Sequence, residues 1–172
     1  MKFYFNKYLS LISFLILPVV IFWNPSWLSL MGYQAYWPIF WLLPWAIIHG
    51  PYKAMLFGFL LGFTLDTLNA DLYTQIPGLM ICGFWFGKIG SFSQFNNTPL
   101  QFGLIAAIGS LICGIIYFCQ IVFLHSKGNS PLWLFPFGFQ NIFSQVFLTG
   151  LLAPVFCKWL YIVFSKKYKL KI

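Results

Sequence analysis

Long apolar runs separated by short polar segments make up almost the whole chain. A helix needs about 20 apolar residues to cross a bilayer core of about 30 Å, and six runs approach that length. The pattern predicts an all-α integral membrane protein whose helices form one bundle. We therefore expect a single transmembrane helical domain over residues 1–172, with six spans at about 8–23, 28–48, 53–68, 76–90, 100–124 and 138–164.

Two of these spans carry features that a simple transmembrane helix lacks. The first run resembles a signal peptide, but it ends in Asn24-Pro25-Ser26-Trp27 and not in a small-residue cleavage pattern, which favours a retained helix. The second run contains Gly32, Pro38 and Pro44, and proline removes a helix hydrogen bond. We expect this second span to be broken, kinked or partly re-entrant, and the pattern does not decide between these forms.

The composition agrees with lipid as the main solvent of the chain. Charged residues make up 7% of the sequence and hydrophobic residues 60%, whereas about a quarter of the residues of an ordinary globular domain are charged. A net charge of +8 would suggest nucleic-acid binding in a soluble protein. Because the lysines lie at the ends of apolar runs and form no basic face, we expect no nucleic-acid partner.

The positions of the lysines predict the orientation of the bundle. With six spans and an inner amino terminus, nine of the ten lysines lie on the inner side and Lys127 lies outside. The inner lysines are Lys2, Lys7, Lys53, Lys88, Lys158, Lys166, Lys167, Lys169 and Lys171. This bias follows the positive-inside rule, so both termini are expected in the cytoplasm.

Ionisable side chains are too few for an intramembrane active site. Asp66 and Asp71 are the two acids, so the clustered carboxylates that hold magnesium are lacking. His49 and His125 fall at opposite ends of predicted spans, too far apart to serve one site. The cysteines lie in apolar runs without a Cys-x-x-Cys pair: Cys82, Cys113, Cys119 and Cys157. They are interpreted as small hydrophobic residues, and we expect no catalytic residue, metal site or cofactor.

Asp66 is the most unusual residue, because it lies inside the third predicted span. An acid at the centre of a membrane helix costs about 2.5–3.5 kcal/mol on insertion scales, so it is a functional candidate by default. Its place about one turn from the outer end lowers that cost. In the alternative interpretation, Asp66 reaches the interface or bonds to Thr67 and Asn69.

Small residues predict close packing between the third and fourth spans. Four positions spaced four residues apart share one helix face: Ala54, Gly58, Gly62 and Asp66. The third span thus has a GxxxG pair, which lets another helix approach closely, and the fourth span has a second one. The candidate helix-packing and functional residues are Gly58, Gly62, Asp66, Gly83 and Gly87.

Polar side chains are also expected to meet at one depth, in the outer third of the bundle. They are Asp66, Gln75, Gln120, Asn141, Ser144 and Gln145. Lys88 and Lys158 fall near the inner face, so they cannot pair with Asp66. The expected result is a neutral hydrogen-bonding cluster, which is either a small outward-facing cavity or a contact that joins helices.

Residues 58–88 resemble the MreD family of bacterial rod shape-determining membrane proteins. The stretch GFLLGFTLD at 58–66 is similar to the family's glycine-spaced helix that ends in Leu-Asp. A short loop and a second helix ending in Gly87-Lys88 follow, as in the family. The sequences Trp41-Leu-Leu-Pro44-Trp45 and Thr74-Gln75-Ile76-Pro77 are similar to some of its branches.

The resemblance implies a non-enzymatic component of the cell-elongation machinery in the bacterial cytoplasmic membrane. Such a protein maintains rod shape and organises sidewall peptidoglycan synthesis, with MreC, MreB and peptidoglycan synthases as partners. The fold implied is similar to the six-helix substrate-binding subunit of energy-coupling-factor transporters. That likeness supplies an alternative function, a membrane subunit of a transporter that binds a small, vitamin-like molecule.

Overall fold

The structure, a computed structural model, describes residues 29–30, 33–69, 73–91, 98–125 and 134–169. Its helices are α1 (Trp37–His49), α2 (Pro51–Asn69), α3 (Ile76–Ser91), α4 (Pro99–His125) and α5 (Leu134–Lys169). Before them, β1 (Ser29–Leu30) pairs antiparallel with β2 (Tyr33–Gln34). Apart from this two-residue pairing the described chain is helical, which confirms the all-α expectation. The predicted first span, at 8–23, lies outside the described residues, as do Asp71 and Lys127.

Two of the helices are long and apolar enough to cross a membrane. The qualifying segments are Pro99–Phe123 in α4 and Gly138–Ile162 in α5, each of 25 residues. By contrast, α1 has 13 residues and α3 has 16, so at about 1.5 Å per residue both are shorter than a hydrocarbon core of about 30 Å. Length and apolar composition therefore mark α4 and α5 as possible spans, and the six-span arrangement stays a prediction.

The interval of the predicted second span is divided in the structure. Its first part forms the β1–β2 pairing, and α1 starts only at Trp37. Neither proline ends the helix. Pro38 lies in the first turn of α1, where the missing N–H would have no helical partner, and the helix continues through Pro44 to His49. Gly50, with φ of 85°, then turns the chain directly into α2.

The core forms around α1, which contacts each of the other four helices. The side chains of Ile39, Phe40, Leu42, Leu43 and Ala46 are fully buried. A short helix that is apolar on every side is most stable when other helices cover all of its faces.

The most extensive contacts between helices join α2 to α3 and α4 to α5. Both pairs are antiparallel neighbours in the sequence. The cysteines Cys82, Cys113 and Cys157 are buried within this bundle, whereas Cys119 is exposed.

Candidate functional site

The predicted small residues of α2 lie directly against the backbone of α3. A Cβ atom added at Gly58 would collide with the Leu79 carbonyl group, and one added at Gly62 would lie 2.6 Å from the Ile76 Cα atom. Real Cβ atoms do not approach backbone atoms that closely. The two helices can therefore keep this separation only because these positions carry no side chain.

The glycines of α3 make the reciprocal contacts. An added Cβ at Gly83 would collide with the Ala54 carbonyl group, and one at Gly87 would lie 2.5 Å from the Pro51 Cα atom. Gly90 approaches α1 in the same way, with 2.5 Å between an added Cβ and the Ile47 Cα atom. Sequence analysis did not single out Gly90, although its seven-residue spacing from Gly83 places both on one helix face.

Asp66 closes the end of the α2–α3 contact. Its Oδ1 accepts a hydrogen bond of 2.8 Å from the backbone N–H of Gln75, the residue before α3. A carboxylate there also complements the positive end of the helix dipole. The hydroxyl of Thr67 donates instead to the Thr64 carbonyl, at 2.8 Å, so the bond to Thr67 that the alternative interpretation offered does not form. The Asn69 side chain lies outside what the structure describes.

The second carboxylate oxygen of Asp66 is in an unusual position. Oδ2 is buried and has no hydrogen-bond partner within the described part of the chain. Burying an acceptor without a partner costs about 1–3 kcal/mol. The hydrogen bond and the dipole interaction at Oδ1 offset part of that cost.

A chain of hydrogen bonds continues from Gln75 to α5. The Tyr36 hydroxyl donates to Gln75 Oε1 at 2.9 Å, and the Tyr36 backbone N–H donates to Thr149 Oγ1 at 2.9 Å. The Thr149 hydroxyl donates in turn to the Gln145 carbonyl at 2.6 Å. Tyr36 therefore links the start of α3 to the middle of α5.

Gln120 fixes the same segment from the side of α4. Its Oε1 accepts from the backbone N–H of Thr74, and its Nε2 donates to the Thr74 carbonyl, both at 3.0 Å. A side-chain amide can satisfy a backbone N–H and C=O together in this way. Asp66 and Gln120 thus hold two consecutive residues, Thr74 and Gln75, from two different helices.

A cavity of about 230 Å³ lies beside this segment, between the start of α3, the second half of α4 and the first half of α5. Its polar lining residues are Tyr36, Thr74, Gln75, Tyr117, Asn141 and Gln145, and the thiol of Cys113 also lines it. Apolar walls come from α4 and α5, and include Ile116, Phe118 and Ile142. The part of the lining that the structure describes contains no Lys, Arg, His, Asp or Glu residue, so these residues can form hydrogen bonds but offer no charge.

The predicted polar cluster is only partly one site. Gln75, Asn141 and Gln145 line the cavity, whereas Asp66 and Gln120 act on it through the backbone at its edge. Ser144 is buried in α5 and does not line it.

Sequence analysis missed three residues of this network: Tyr36, Thr74 and Thr149. Tyr36 lay inside the second predicted span, 28–48, and was not included in the predicted polar cluster. The available signal for Thr149 was its spacing of four residues from Gln145, which puts both on one face of a helix.

Two thiols lie close together at the cavity wall, and one of them, Cys113, lines the cavity. The Sγ atoms of Cys82 and Cys113 are 3.4 Å apart, and Cys82 also donates to the Gly109 carbonyl at 3.3 Å. Among the described residues, no three His, Cys, Asp or Glu side chains come together as metal ligands would. The thiols serve here as small, buried side chains between α3 and α4.

The chain matches no known family model, and neither a curated protein nor a solved structure is significantly similar to it. The resemblance of residues 58–88 to the MreD family therefore depends on the motif residues alone.

Proposed function

We propose that this protein is a multi-span component of the bacterial cytoplasmic membrane. The lengths of α4 and α5 support this, and so does the surface of the bundle. Large apolar side chains point outward along both helices, with Leu104 58%, Phe143 73% and Val155 70% exposed. A soluble monomer rarely exposes wide apolar surface, whereas lipid solvates such a surface without cost.

The placement of charges supports an orientation with the termini in the cytoplasm. Lys53 at the start of α2, Lys88 near the end of α3 and Lys158 in the second half of α5 are all exposed. The antiparallel pairing of the helices puts these three lysines at one end of the bundle, and Asp66 with the cavity at the other. Under the positive-inside rule, the lysine end faces the cytoplasm and the cavity faces outward.

Within that membrane, the protein acts as a non-enzymatic component of the cell-elongation machinery. The observation that carries this proposal is that the residues of the MreD-like motif form a single unit. Its glycines hold α2 and α3 in backbone contact, and its aspartate joins the end of α2 to the start of α3. A rigid helix pair suits a scaffold, which has to present a fixed surface to MreC, MreB and peptidoglycan synthases.

Depletion of the protein in a rod-shaped host tests this function. We expect the cells to widen or become round, because sidewall synthesis loses its organisation. Gentle solubilisation of the membranes should copurify MreC and a wall transpeptidase with the protein. Cells that keep normal rod shape after full depletion would contradict the proposal.

The cavity favours a second candidate function, a membrane subunit that binds a small, vitamin-like molecule for a transporter. Sites for small molecules are concave and mostly apolar, with a few fixed polar groups, and this one has six tyrosine, threonine, asparagine and glutamine side chains among its described lining residues. The same two experiments separate the candidates. A transporter subunit would copurify with an ATPase pair, and its depletion would cause an uptake defect in cells of normal shape.

A further inference from the structure

The cavity contains two amide side chains that form no hydrogen bond with the described part of the chain. Asn141 and Gln145 lie four residues apart on α5 and therefore on one helix face. Within the described chain, no hydrogen bond joins either side-chain amide to another residue. Each of these amides can donate two hydrogen bonds and accept two. The α5 wall of the cavity thus offers donors and acceptors side by side.

The opposite wall, formed by Thr74 and Gln75, is held in place by hydrogen bonds from three other residues. Asp66 bonds to the Gln75 backbone at 2.8 Å, and Gln120 bonds twice to the Thr74 backbone. The Tyr36 hydroxyl, in the segment just before α1, donates to the Gln75 side chain. Polar groups that are fixed before binding lower the entropic cost of binding. The fixed wall is therefore suited to bind a ligand.

The charge and size of the cavity restrict what it could hold. Among the described residues, no carboxylate, ammonium, guanidinium or imidazole lines it, and burying an ion without a partner is very costly. At about 230 Å³ it is smaller than the roughly 300–1,000 Å³ of typical ligand pockets. Phe118 and the isoleucines beside it offer an apolar surface to a ring.

We propose that this cavity is a binding site for a small uncharged molecule, a single apolar ring that carries both hydrogen-bond donors and acceptors. Asn141 and Gln145 contact the ligand, and Asp66 is a positioning residue that acts through Gln75. The proposal does not depend on the scaffold function. It deepens the second candidate function by naming the ligand class, and binding itself needs no transporter partner.

Three pairs of probes test the ligand class, each with an uncharged and a carboxylate form of one ring: nicotinamide and nicotinate, benzamide and benzoate, uracil and orotate. Titration calorimetry and thermal unfolding of the full-length protein in lipid nanodiscs, at pH 7.5, measure binding. We expect at least one uncharged probe to raise the Tm and to bind tenfold or more tightly than its carboxylate partner. If no uncharged probe binds, or if the carboxylates bind equally well, the proposal is wrong.

Variants locate the binding in the cavity. Asn141→Leu and Gln145→Leu keep the approximate size but remove the donors and acceptors, and each should weaken binding tenfold or more. Gln140→Leu, at an exposed position outside the cavity, is the matched control and should bind like the wild type. Unchanged binding by either cavity variant would overturn the assignment. Because the readout is direct binding, its failure leaves the rod-shape experiment unaffected.

Discussion

Between α2 and α3 the backbones touch at the glycines, whereas between α3, α4 and α5 the bundle leaves a cavity of about 230 Å³. In the first region, the atoms nearest to the glycines are backbone atoms of the neighbouring helix. The second is lined by amides, hydroxyls and rings. The same helix, α3, thus packs as closely as backbone allows on one side and borders a cavity on the other.

The difference shows how a small bundle can keep a cavity open. Apolar side chains tend to fill space, so a cavity persists only if its walls cannot move together. Backbone contact at the glycines fixes α3 against α2, and hydrogen bonds from Asp66 and Gln120 fix the segment at the start of α3. Asp66 belongs to both regions, because it ends the small-residue face of α2 and holds a residue that lines the cavity.

The largest effect is expected from Gly62→Leu, which breaks the closely packed region. The new side chain would meet the Ile76 backbone, where even a Cβ lies 2.6 Å away, and backbone cannot yield as a side chain does. Overpacking of this kind costs about 3 kcal/mol. We expect loss of accumulation in membranes by immunoblot and loss of function. Phe63→Leu, at the exposed neighbouring position, should accumulate normally, and a stable Gly62→Leu protein would show that the helices can separate freely.

Asp66 tests the link between the two regions. Asp66→Ala leaves the Gln75 N–H without its acceptor, which should destabilise the protein by about 2 kcal/mol and lower its Tm in detergent. Asp66→Asn keeps an acceptor oxygen and should lose only the charge at the helix end, about 0.5 kcal/mol. We therefore expect Asp66→Asn to complement rod shape better than Asp66→Ala. If Asp66→Asn instead fails to complement rod shape, the negative charge itself binds a partner.

Variants of Gln120 test how much its two hydrogen bonds to Thr74 stabilise the segment beside the cavity. Gln120→Leu removes both hydrogen bonds to Thr74, and because the segment is partly exposed to solvent we expect a loss of only about 1 kcal/mol. Gln120→Glu keeps the acceptor for the Thr74 N–H but cannot donate to the Thr74 carbonyl. Its Tm should fall at least as far, since the carboxylate would face that carbonyl. Equal Tm values for wild type and both variants would mean that the Gln120 hydrogen bonds do not stabilise the segment.

The smallest effect is expected from Tyr36→Phe. This change removes the hydroxyl that donates to Gln75 Oε1 but keeps the ring and the backbone bond to Thr149. Because Gln75 faces the cavity, its oxygen can find another partner, so the loss should be about 0.5 kcal/mol. The Tm should therefore fall by a small amount in detergent. If the Tm falls further than in Gln120→Leu, the Tyr36 hydroxyl contributes more than Gln120 to holding the cavity wall.

The helices and their closest contact could be predicted because both depend on local pattern. Apolar runs predicted α2 to α5 to within a few residues, and the four-residue spacing of glycines predicted that α2 and α3 would pack closely. The start of α1 could not be predicted. A single span and a strand pairing followed by a short helix can have the same apolar run, so the pattern does not distinguish them. For that reason Tyr36 was expected within the second span, whereas it lies just before α1.

The sequence by itself determined that this protein is helical and largely apolar, that small residues mark one face of α2, and that its few polar groups fall toward one end. Spacing along a helix is enough for each of these conclusions. Only the tertiary structure decided which backbone each glycine meets, that Asp66 bonds to Gln75, and that Tyr36 bonds to Thr149 across 113 positions of sequence. Helix periodicity orients a face but does not choose its neighbour, because that choice depends on how all the helices pack together.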